Sequence, residues 1–204
     1  MDRQSHWENI YKTKKPDQVS WFKSHLSKSF ELISKTNIAK DSPVIDIGGG
    51  ASTLVDDLLN DGITNVTVLD VSSESLEVSK KRLGKQVSKV HWLAADVTTV
   101  DLPKNHYVLW HDRAVFHFLT ERGDREKYKQ ILNQALTSKG FVIISSFSLT
   151  GPEKCSGLEV VRYSPETLLR ELGSGFKLLE SENETHKTPF NTTQDFVYCL
   201  MQRN

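Results

Sequence analysis

Three glycines preceded by an acid form the part of the sequence best suited to hold a cofactor. The run DIGGGAS (46–52) continues a short apolar stretch, the pattern of a buried parallel strand that stops at a tight turn. Glycine lets the backbone turn sharply and approach a ligand that a Cβ would block. A helix that begins near Ser52 would turn free N–H groups and the positive end of its dipole toward a polar ligand. The run therefore predicts a cofactor site.

A second acid, Asp70, ends the next apolar stretch of the chain. A carboxylate at that place suits the hydroxyls of a ribose, so two nucleotide-like cofactors remain open. The dinucleotide fingerprint G-x-G-x-x-G requires a glycine where Thr53 stands, and it does not include the preceding Asp46. The sequence therefore gives the least support to a dinucleotide-binding oxidoreductase.

The motif D-x-G-x-G at 46–50 resembles the first motif of the class I S-adenosylmethionine-dependent methyltransferases. The resemblance implies that the glycines pass beneath the methionine moiety and that Asp70 holds the ribose. It also implies that ADV (95–97), with Val71, borders the adenine. Ser52 stands where many members carry a third glycine. The residues expected to contact S-adenosylmethionine are Tyr11, Trp21, Asp46, Gly48, Gly49, Gly50, Ser52, Asp70, Val71, Asp96, Val97 and His111.

The segment WHDRAVFHF (110–118) follows a predicted fourth strand, and ligands of open α/β sheets gather at the carboxyl ends of strands. We expect Asp112, Arg113 and His117 to line the acceptor pocket. His117, with an ordinary pKa of about 6.5, is the candidate general base, while Asp112 and Arg113 orient the acceptor. The alternatives are structural: an Asp112–Arg113 ion pair, and a half-buried histidine with satisfied hydrogen bonds. A thiolate acceptor would need no base, and the sequence shows no cluster of metal ligands.

Two further segments resemble the thiopurine S-methyltransferase group and related small bacterial methyltransferases. They are 109–132, which contains the Asp-Arg pair, and the aromatic segment 6–22. This resemblance implies a small-molecule acceptor that reacts at a soft atom such as a thiol. Residues 1–23, with Trp7, Tyr11, Trp21 and Phe22 in an otherwise polar and irregular stretch, are expected to form a lid or to pack on the edge of the domain.

The elements that must position these residues alternate along the chain, which predicts a parallel sheet with helices on both faces. The expected fold is a Rossmann-like three-layer α/β sandwich with a mostly parallel seven-stranded sheet and an antiparallel C-terminal strand pair. Predicted strands are 44–47, 65–71, 89–97, 107–112, 140–148, 176–187 and 195–202. Predicted helices are 24–38, 52–62, 72–84, 121–140 and 164–173.

Composition limits the other possibilities. The 204 residues suit one domain, 1–204, and 26 basic residues balance 26 acidic ones, so no net charge favours nucleic acid or an anionic membrane. No apolar run predicts a membrane span or a secretory signal. Two cysteines far apart favour a reduced, cytoplasmic setting, and the oligomeric state stays undetermined.

Three functions of different classes remain. The first is a methyltransferase for a small-molecule acceptor. The second is a protein methyltransferase acting on lysine, which an acidic acceptor groove would favour. The third is a regulatory module that binds the nucleotide without chemistry.

Overall fold

A seven-stranded sheet forms the centre of the molecule. The computed structural model describes residues 2–204. The strands are β1 (Val44–Ile47), β2 (Val66–Asp70), β3 (Val90–Ala94), β4 (Tyr107–Arg113), β5 (Leu136–Phe147), the short β6 (Lys154–Cys155) and β7 (Leu158–Glu159), β8 (Phe176–Lys187) and β9 (Thr193–Arg203). The sheet order is β3-β2-β1-β4-β5-β9-β8, and β6 and β7 form a separate hairpin. Strands β1 to β5 run parallel, whereas β9 is antiparallel to β5 and to β8. The predicted fold class is confirmed.

Helices cover both faces of this sheet. They are α1 (Arg3–Thr13), α2 (Ser27–Lys35), α3 (Leu54–Asn60), α4 (Ser73–Leu83), α5 (Arg122–Ala135) and α6 (Pro165–Leu172). One apolar core joins α2, α3 and α4 to the sheet, and a second joins α5 and α6 to its other face. Successive strand residues point to opposite faces, so Val44 enters one core and Ile45 the other. Within residues 2–204 we find no helix both long and apolar enough to span a bilayer.

Capping residues fix several helix ends where the sequence predicts them. Ser72 accepts a hydrogen bond from the backbone N–H of Ser75 at the start of α4, and Gly84 ends that helix with a φ of 54°. Ser164 and Pro165 begin α6 with a capping box. Local chemistry therefore determines these boundaries.

The end of α5 lies five residues before the predicted glycine, so that expectation is wrong. The helix stops at Ala135, and Leu136 already has extended backbone and pairs with Tyr107 of β4. The register between β4 and β5 then shifts, and Lys139 adopts a φ of 62° just before Gly140. Pairing with β4 thus recruits a stretch whose sequence favours a helix, because ladder hydrogen bonds and burial outweigh local propensity.

The start of the chain is also more regular than predicted. Instead of an irregular stretch, Arg3–Thr13 forms α1, capped by Asp2, whose carboxylate accepts from the N–H of Ser5 at 2.8 Å. Ile10 is its one buried residue among those described. Because so little of this helix is buried, its apolar spacing gives no periodic signal.

Candidate functional site

The glycine turn after β1 is packed against the protein's own side chains. Gly48 has a φ of 68°, and its N–H donates to the carbonyl of Leu69 at 2.7 Å. A Cβ on Gly49 would lie 2.2 Å from Asp46 Oδ2, and one on Gly50 would lie 1.9 Å from Ser75 Oγ. Each position thus excludes a side chain on steric grounds.

Asp70 lies at the carboxyl end of β2, beside this turn. Its Oδ2 accepts from the N–H of Gly50 at 3.0 Å, and its Oδ1 accepts from the N–H of Ser72 at 2.8 Å. Burial raises the pKa of Asp70 to about 6, and these hydrogen bonds oppose that rise. Asp70 therefore braces the glycine turn while it borders the cavity described next.

Two cavities meet at the carboxyl edge of the sheet. The first encloses about 820 Å³, with the open solvent at its mouth included. The second, of about 510 Å³, lies on the other side of Gly48. Of the residues predicted from the sequence, the first cavity is lined by Tyr11, Trp21, Gly48, Asp70, Val71, Asp96, Val97 and Arg113. The second is lined by Tyr11, Trp21, Asp46, Gly48, Gly49, Ser52, His111 and Arg113.

Asp96 borders the first cavity and also holds the N-terminal helix. Its carboxylate accepts from the N–H and hydroxyl of Thr98, each at 2.7 Å, and pairs with Arg3 at 3.0 Å. Partial burial raises its pKa, but the Thr98 hydrogen bonds and the Arg3 charge outweigh it, so the pKa falls below its ordinary value. Arg3 pairs with Asp124 of α5 as well, at 2.7 Å. The acid predicted to border the adenine is thus already an ion-pair partner.

Helix α1 is held at a second point, at the start of α4. The carboxylate of Glu8 accepts from the N–H and the hydroxyl of Ser73, at 2.8 and 2.9 Å, at the start of α4. Between the two fastenings, Trp7 packs edge-on against Trp21 and Phe118, with ring centroids 5.6 and 5.1 Å apart. The aromatic segment therefore forms one wall of the first cavity.

Arg113 is a cation in an aromatic wall. Its Nε donates to the hydroxyl of Tyr198 at 3.0 Å, one Nη donates to the carbonyl of Trp21 at 3.2 Å, and the guanidinium lies 4.7 Å from the ring centre of Phe196. The other nitrogen, Nη2, is buried and has no hydrogen-bond partner in the described part of the chain. Arg113 lines both cavities, as the sequence predicts for the acceptor pocket.

Asp112 does not line the acceptor pocket, so that expectation is wrong. It is fully buried, its Oδ1 accepts from the N–H of Val115 at 2.9 Å, and its Oδ2 accepts from the hydroxyl of Tyr128 at 2.7 Å. No ion pair with Arg113 forms, because Asp112 points into the core, where burial raises its pKa to about 6. Asp112 fixes the turn after β4.

His117 lies in the core as well, which corrects its predicted place in the pocket. It is 0% exposed and packs against Phe118 and Phe147, at centroid distances of 4.5 and 4.9 Å. Burial, followed by the charge of Arg113, lowers the pKa of His117 to about 3. A histidine kept neutral behind the cavity wall has no route to the acceptor, so the structure does not support it as the base.

Two residues predicted to contact the cofactor lie behind the cavity surface. Gly50 lines neither cavity and instead donates its N–H to Asp70. His111 borders the second cavity but is 1% exposed, and both ring nitrogens are engaged, with Asp46 at 2.6 Å and Ser29 at 2.9 Å. Gly50 can therefore affect a bound ligand only through Asp70, and His111 only through Asp46.

Several residues of the first cavity were not singled out as site residues from the sequence. Among them, Arg3 reaches the site from the first turn of α1, and Phe147, Cys155 and Phe196 come from the end of β5, the β6–β7 hairpin and β9. Burial raises the pKa of the Cys155 thiol to about 12, so the thiol is unreactive. The pairing of β5 with β9 sets Phe147 opposite Phe196, a contact between residues distant in sequence.

Comparison with known proteins gives the class to which this geometry belongs. Residues 44–140, from β1 into β5, match the family described as "Methyltransferase domain". EEF1A lysine methyltransferase 2 of Homo sapiens is 23% identical over 189 residues, which cover 86% of this chain and 74% of the relative. The Mus musculus protein of the same name is 22% identical, with coverage of 86% and 72%.

Solved structures share the whole architecture. A methyltransferase from Anabaena variabilis that depends on S-adenosylmethionine superposes with a TM-score of 0.76 at 14% identity, covering 100% of this chain and 96% of the other. The N-methyltransferase NodS from Bradyrhizobium japonicum, in complex with S-adenosyl-L-homocysteine, gives a TM-score of 0.71 at 14% identity, with coverage of 99% of each chain. At such identities the likeness establishes the fold alone.

The fold places two adjoining cavities at the carboxyl edge of a Rossmann-like sheet. With a methyltransferase domain matched over residues 44–140 and a fold shared with solved methyltransferases, the chain is an S-adenosylmethionine-dependent methyltransferase. The residues fit S-adenosyl-L-methionine as the cofactor: Gly48 and Asp70 border the first cavity, and Asp46 offers a buried carboxylate oxygen without a partner among residues 2–204.

Proposed function

We propose that this methyltransferase acts on a small-molecule acceptor that binds in the first cavity beside Arg113. The observation that carries the proposal is the buried Nη2 of Arg113, which has no partner in the described chain and lies in a wall shared with Phe118, Phe147 and Phe196. A cation surrounded by aromatic rings suits a compact acceptor with one electron-rich or anionic end and an apolar body.

The cofactor, when bound, supplies a methyl group activated by a positively charged sulfur. The task of the protein is then to align the acceptor and to exclude water, so proximity and orientation dominate. Arg113 orients the polar end of the acceptor, while Trp7, Trp21 and Phe118 close the cavity on the side of α1. This assignment retains one of the three acceptor residues predicted from the sequence.

The acceptor in this proposal reacts as an anion, a thiolate being the simplest case. Burial keeps His117 neutral behind the wall. Both carboxylates that line the first cavity are engaged, Asp70 by Gly50 and Ser72, and Asp96 by Thr98 and Arg3. The guanidinium of Arg113 favours the deprotonated form of a weakly acidic group beside it. A thiolate is nucleophilic without a general base.

We propose in addition that the aromatic N-terminal segment, residues 2–23, is a lid over the bound cofactor. Trp7, Tyr11 and Trp21 line the first cavity, and Arg3 and Glu8 tie α1 across it. Met1, the first residue of the predicted segment, lies outside the described residues. Tyr11 and Trp21 would then contact the cofactor from the lid, while Val71 and Val97 border it from the sheet.

A second candidate is methylation of a protein lysine, favoured by the likeness to EEF1A lysine methyltransferase 2. Against it stands Arg113, whose charge repels a lysine ammonium at the wall where the acceptor enters. The first cavity has an acid at its nucleoside side, Asp70, but the aromatic rings on the acceptor side surround a cation. We therefore favour a small-molecule acceptor over a protein lysine.

The test is a transfer experiment with S-adenosylmethionine that carries a labelled methyl group. The purified protein is incubated with this cofactor and a whole-cell extract, and the extract is then separated into small-molecule and macromolecular fractions. We expect the label in the small-molecule fraction. Pretreatment of the extract with a thiol-blocking reagent should abolish most of this labelling. Label found only in protein, at lysine, would replace the proposal with the second candidate.

A further inference from the structure

We infer that Ser29 and His111 are positioning residues that hold Asp46 as the receptor for the ammonium group at the methionine end of the cofactor. The inference rests on the binding of S-adenosylmethionine and assigns roles to two buried side chains that the proposed chemistry does not use. It concerns the second cavity, whose lining includes Asp46, Gly48 and Gly49.

Three polar side chains from three elements form a buried row. Asp46 Oδ1 lies 2.6 Å from His111 Nδ1, and His111 Nε2 lies 2.9 Å from Ser29 Oγ. The exposed fractions are 2%, 1% and 0%, so the whole row is shielded from bulk solvent. Parallel pairing of β1 with β4 sets Asp46 directly beside His111, and α2 brings Ser29 against them.

The row ends at a carboxylate oxygen. A carboxylate accepts, so the proton of its hydrogen bond with His111 lies on Nδ1. On the other side of the ring, the Ser29 hydroxyl, which has no other partner in the described chain, lies 2.9 Å from Nε2. Ser29 thereby holds the orientation of the His111 ring, and His111 fixes the rotation of the Asp46 carboxylate.

That rotation leaves one oxygen without a partner. Asp46 Oδ2 is buried and accepts no hydrogen bond from residues 2–204, because the N–H groups of Gly48 and Gly49 donate to Leu69 and that of Gly50 donates to Asp70. A buried carboxylate oxygen without a donor costs free energy that a ligand donor can restore. A primary ammonium, with its positive charge and three donors, matches this oxygen.

The second cavity also suits the other charge of an amino acid. Asp46 and Lys23 both belong to its lining. A zwitterion can therefore enter with its ammonium toward Asp46 and its carboxylate toward Lys23, whose ammonium also pairs with Glu184. The nucleoside end of the cofactor carries neither charge, so the charged residues of this cavity would not attract it.

Two ligands distinguish the contributions that the two ends of the cofactor make to binding. S-adenosylhomocysteine carries the amino-acid group, whereas 5′-methylthioadenosine shares the nucleoside and thioether but lacks it. Their dissociation constants are measured by calorimetry for the wild type, Ser29→Ala, His111→Leu and His111→Asn. Ser34→Ala serves as the matched control, because Ser34 lies on the same helix and donates only to the carbonyl of Phe30.

We expect His111→Leu to weaken S-adenosylhomocysteine about tenfold or more and Ser29→Ala about threefold, with 5′-methylthioadenosine unchanged within about twofold. Asparagine can donate to Asp46 as histidine does, so His111→Asn should restore most of the lost affinity. Equal weakening of both ligands, or of neither, would overturn the inference. Failure of the wild type to bind either ligand would instead refute the cofactor assignment, and Ser29→Ala carries the test if His111→Leu does not fold.

Discussion

The half of the site that we propose for the cofactor (the cofactor half) and the half that we propose for the acceptor (the acceptor half) are built in different ways. The cofactor half consists of the turn after β1 and single residues at the ends of β2 and β3, and Gly48, Asp70 and Val97 all line the cavity as the motif predicts. The acceptor half gathers Trp21, Arg113 and Phe196 from positions spread over most of the chain. Of its three residues predicted from the sequence, one lines the cavity.

The two halves differ because they depend on different structural features of the chain. A cofactor cradle needs backbone geometry at a strand end, which a few adjacent residues supply, so a local motif records it. An acceptor wall needs side chains packed from several elements, and polar residues near a strand end can point either into the cavity or into the core. Asp112 and Arg113 are neighbours, yet one lies in the core and the other in the wall.

The largest effect should come from the cofactor half, with Gly50→Ala. The new Cβ would lie 1.9 Å from Ser75 Oγ and 2.6 Å from Asp70 Oδ2, so the carboxylate beside the ribose site must move. We expect S-adenosylhomocysteine affinity to fall by about 100-fold. Gly123→Ala is the control, since a Cβ there meets nothing within 4 Å. Calorimetry that finds both variants equal to the wild type would break the comparison.

In the acceptor half, Arg113→Gln should separate turnover from cofactor binding. Loss of a charged hydrogen bond to the acceptor should lower the rate of label transfer about 10- to 100-fold. Affinity for S-adenosylhomocysteine should stay within about threefold. Arg122→Gln, at an exposed position at the start of α5, should change neither quantity. A drop in cofactor affinity with an unchanged rate at saturating cofactor would move Arg113 to the cofactor half.

His117 sharpens the comparison, because its role should appear in stability and not in turnover. Its pKa is lowered to about 3 in the folded protein, so its contribution is fully present above pH 6.5, the ordinary value, and is lost as the pH falls toward 3. The free energy of unfolding should drop by up to about 1.4 kcal/mol per pH unit in that window.

Urea titrations of the wild type and His117→Leu between pH 7 and 5 measure this contribution. The difference in stability between the two proteins should shrink as the pH falls, while label transfer at pH 7 changes less than about threefold. A large loss of transfer with the cofactor affinity preserved would restore His117 as the base.

The smallest effect is expected at the lid that joins both halves. Arg3→Ala removes the pairs with Asp96 and Asp124, whose side chains are 28% and 29% exposed, so S-adenosylhomocysteine affinity should fall only about two- to fivefold. Lys127→Ala removes a pair with Asp124 that does not involve α1 and serves as the control. Limited proteolysis should cut residues 2–23 faster in Arg3→Ala. In the wild type the ligand should slow this cleavage, and equal rates with and without it would contradict a lid.

Much of the fold could be predicted because its signals are local. The apolar run of β1, the serine that caps α4 and the Ser-Pro start of α6 each specify an element from a few neighbouring residues. The end of α5 and the helix α1 were not found, because β-pairing of Leu136 and ion pairs of Arg3 act between residues distant in sequence. The wrong roles for Asp112 and His117 have the same origin, since only the packing of β4 and β5 decides which side chains are buried.

The glycine turn ties ligand binding to folding. Its missing side chains make room for the protein's own Val115, Asp46 and Asp70, so a side chain at any of the three glycines would displace a neighbour within the protein itself. The turn is therefore a requirement of the scaffold whether or not a ligand is bound. A motif of this kind identifies the scaffold, and the reaction has to be recognised from the aromatic wall around Arg113 that we propose for the acceptor.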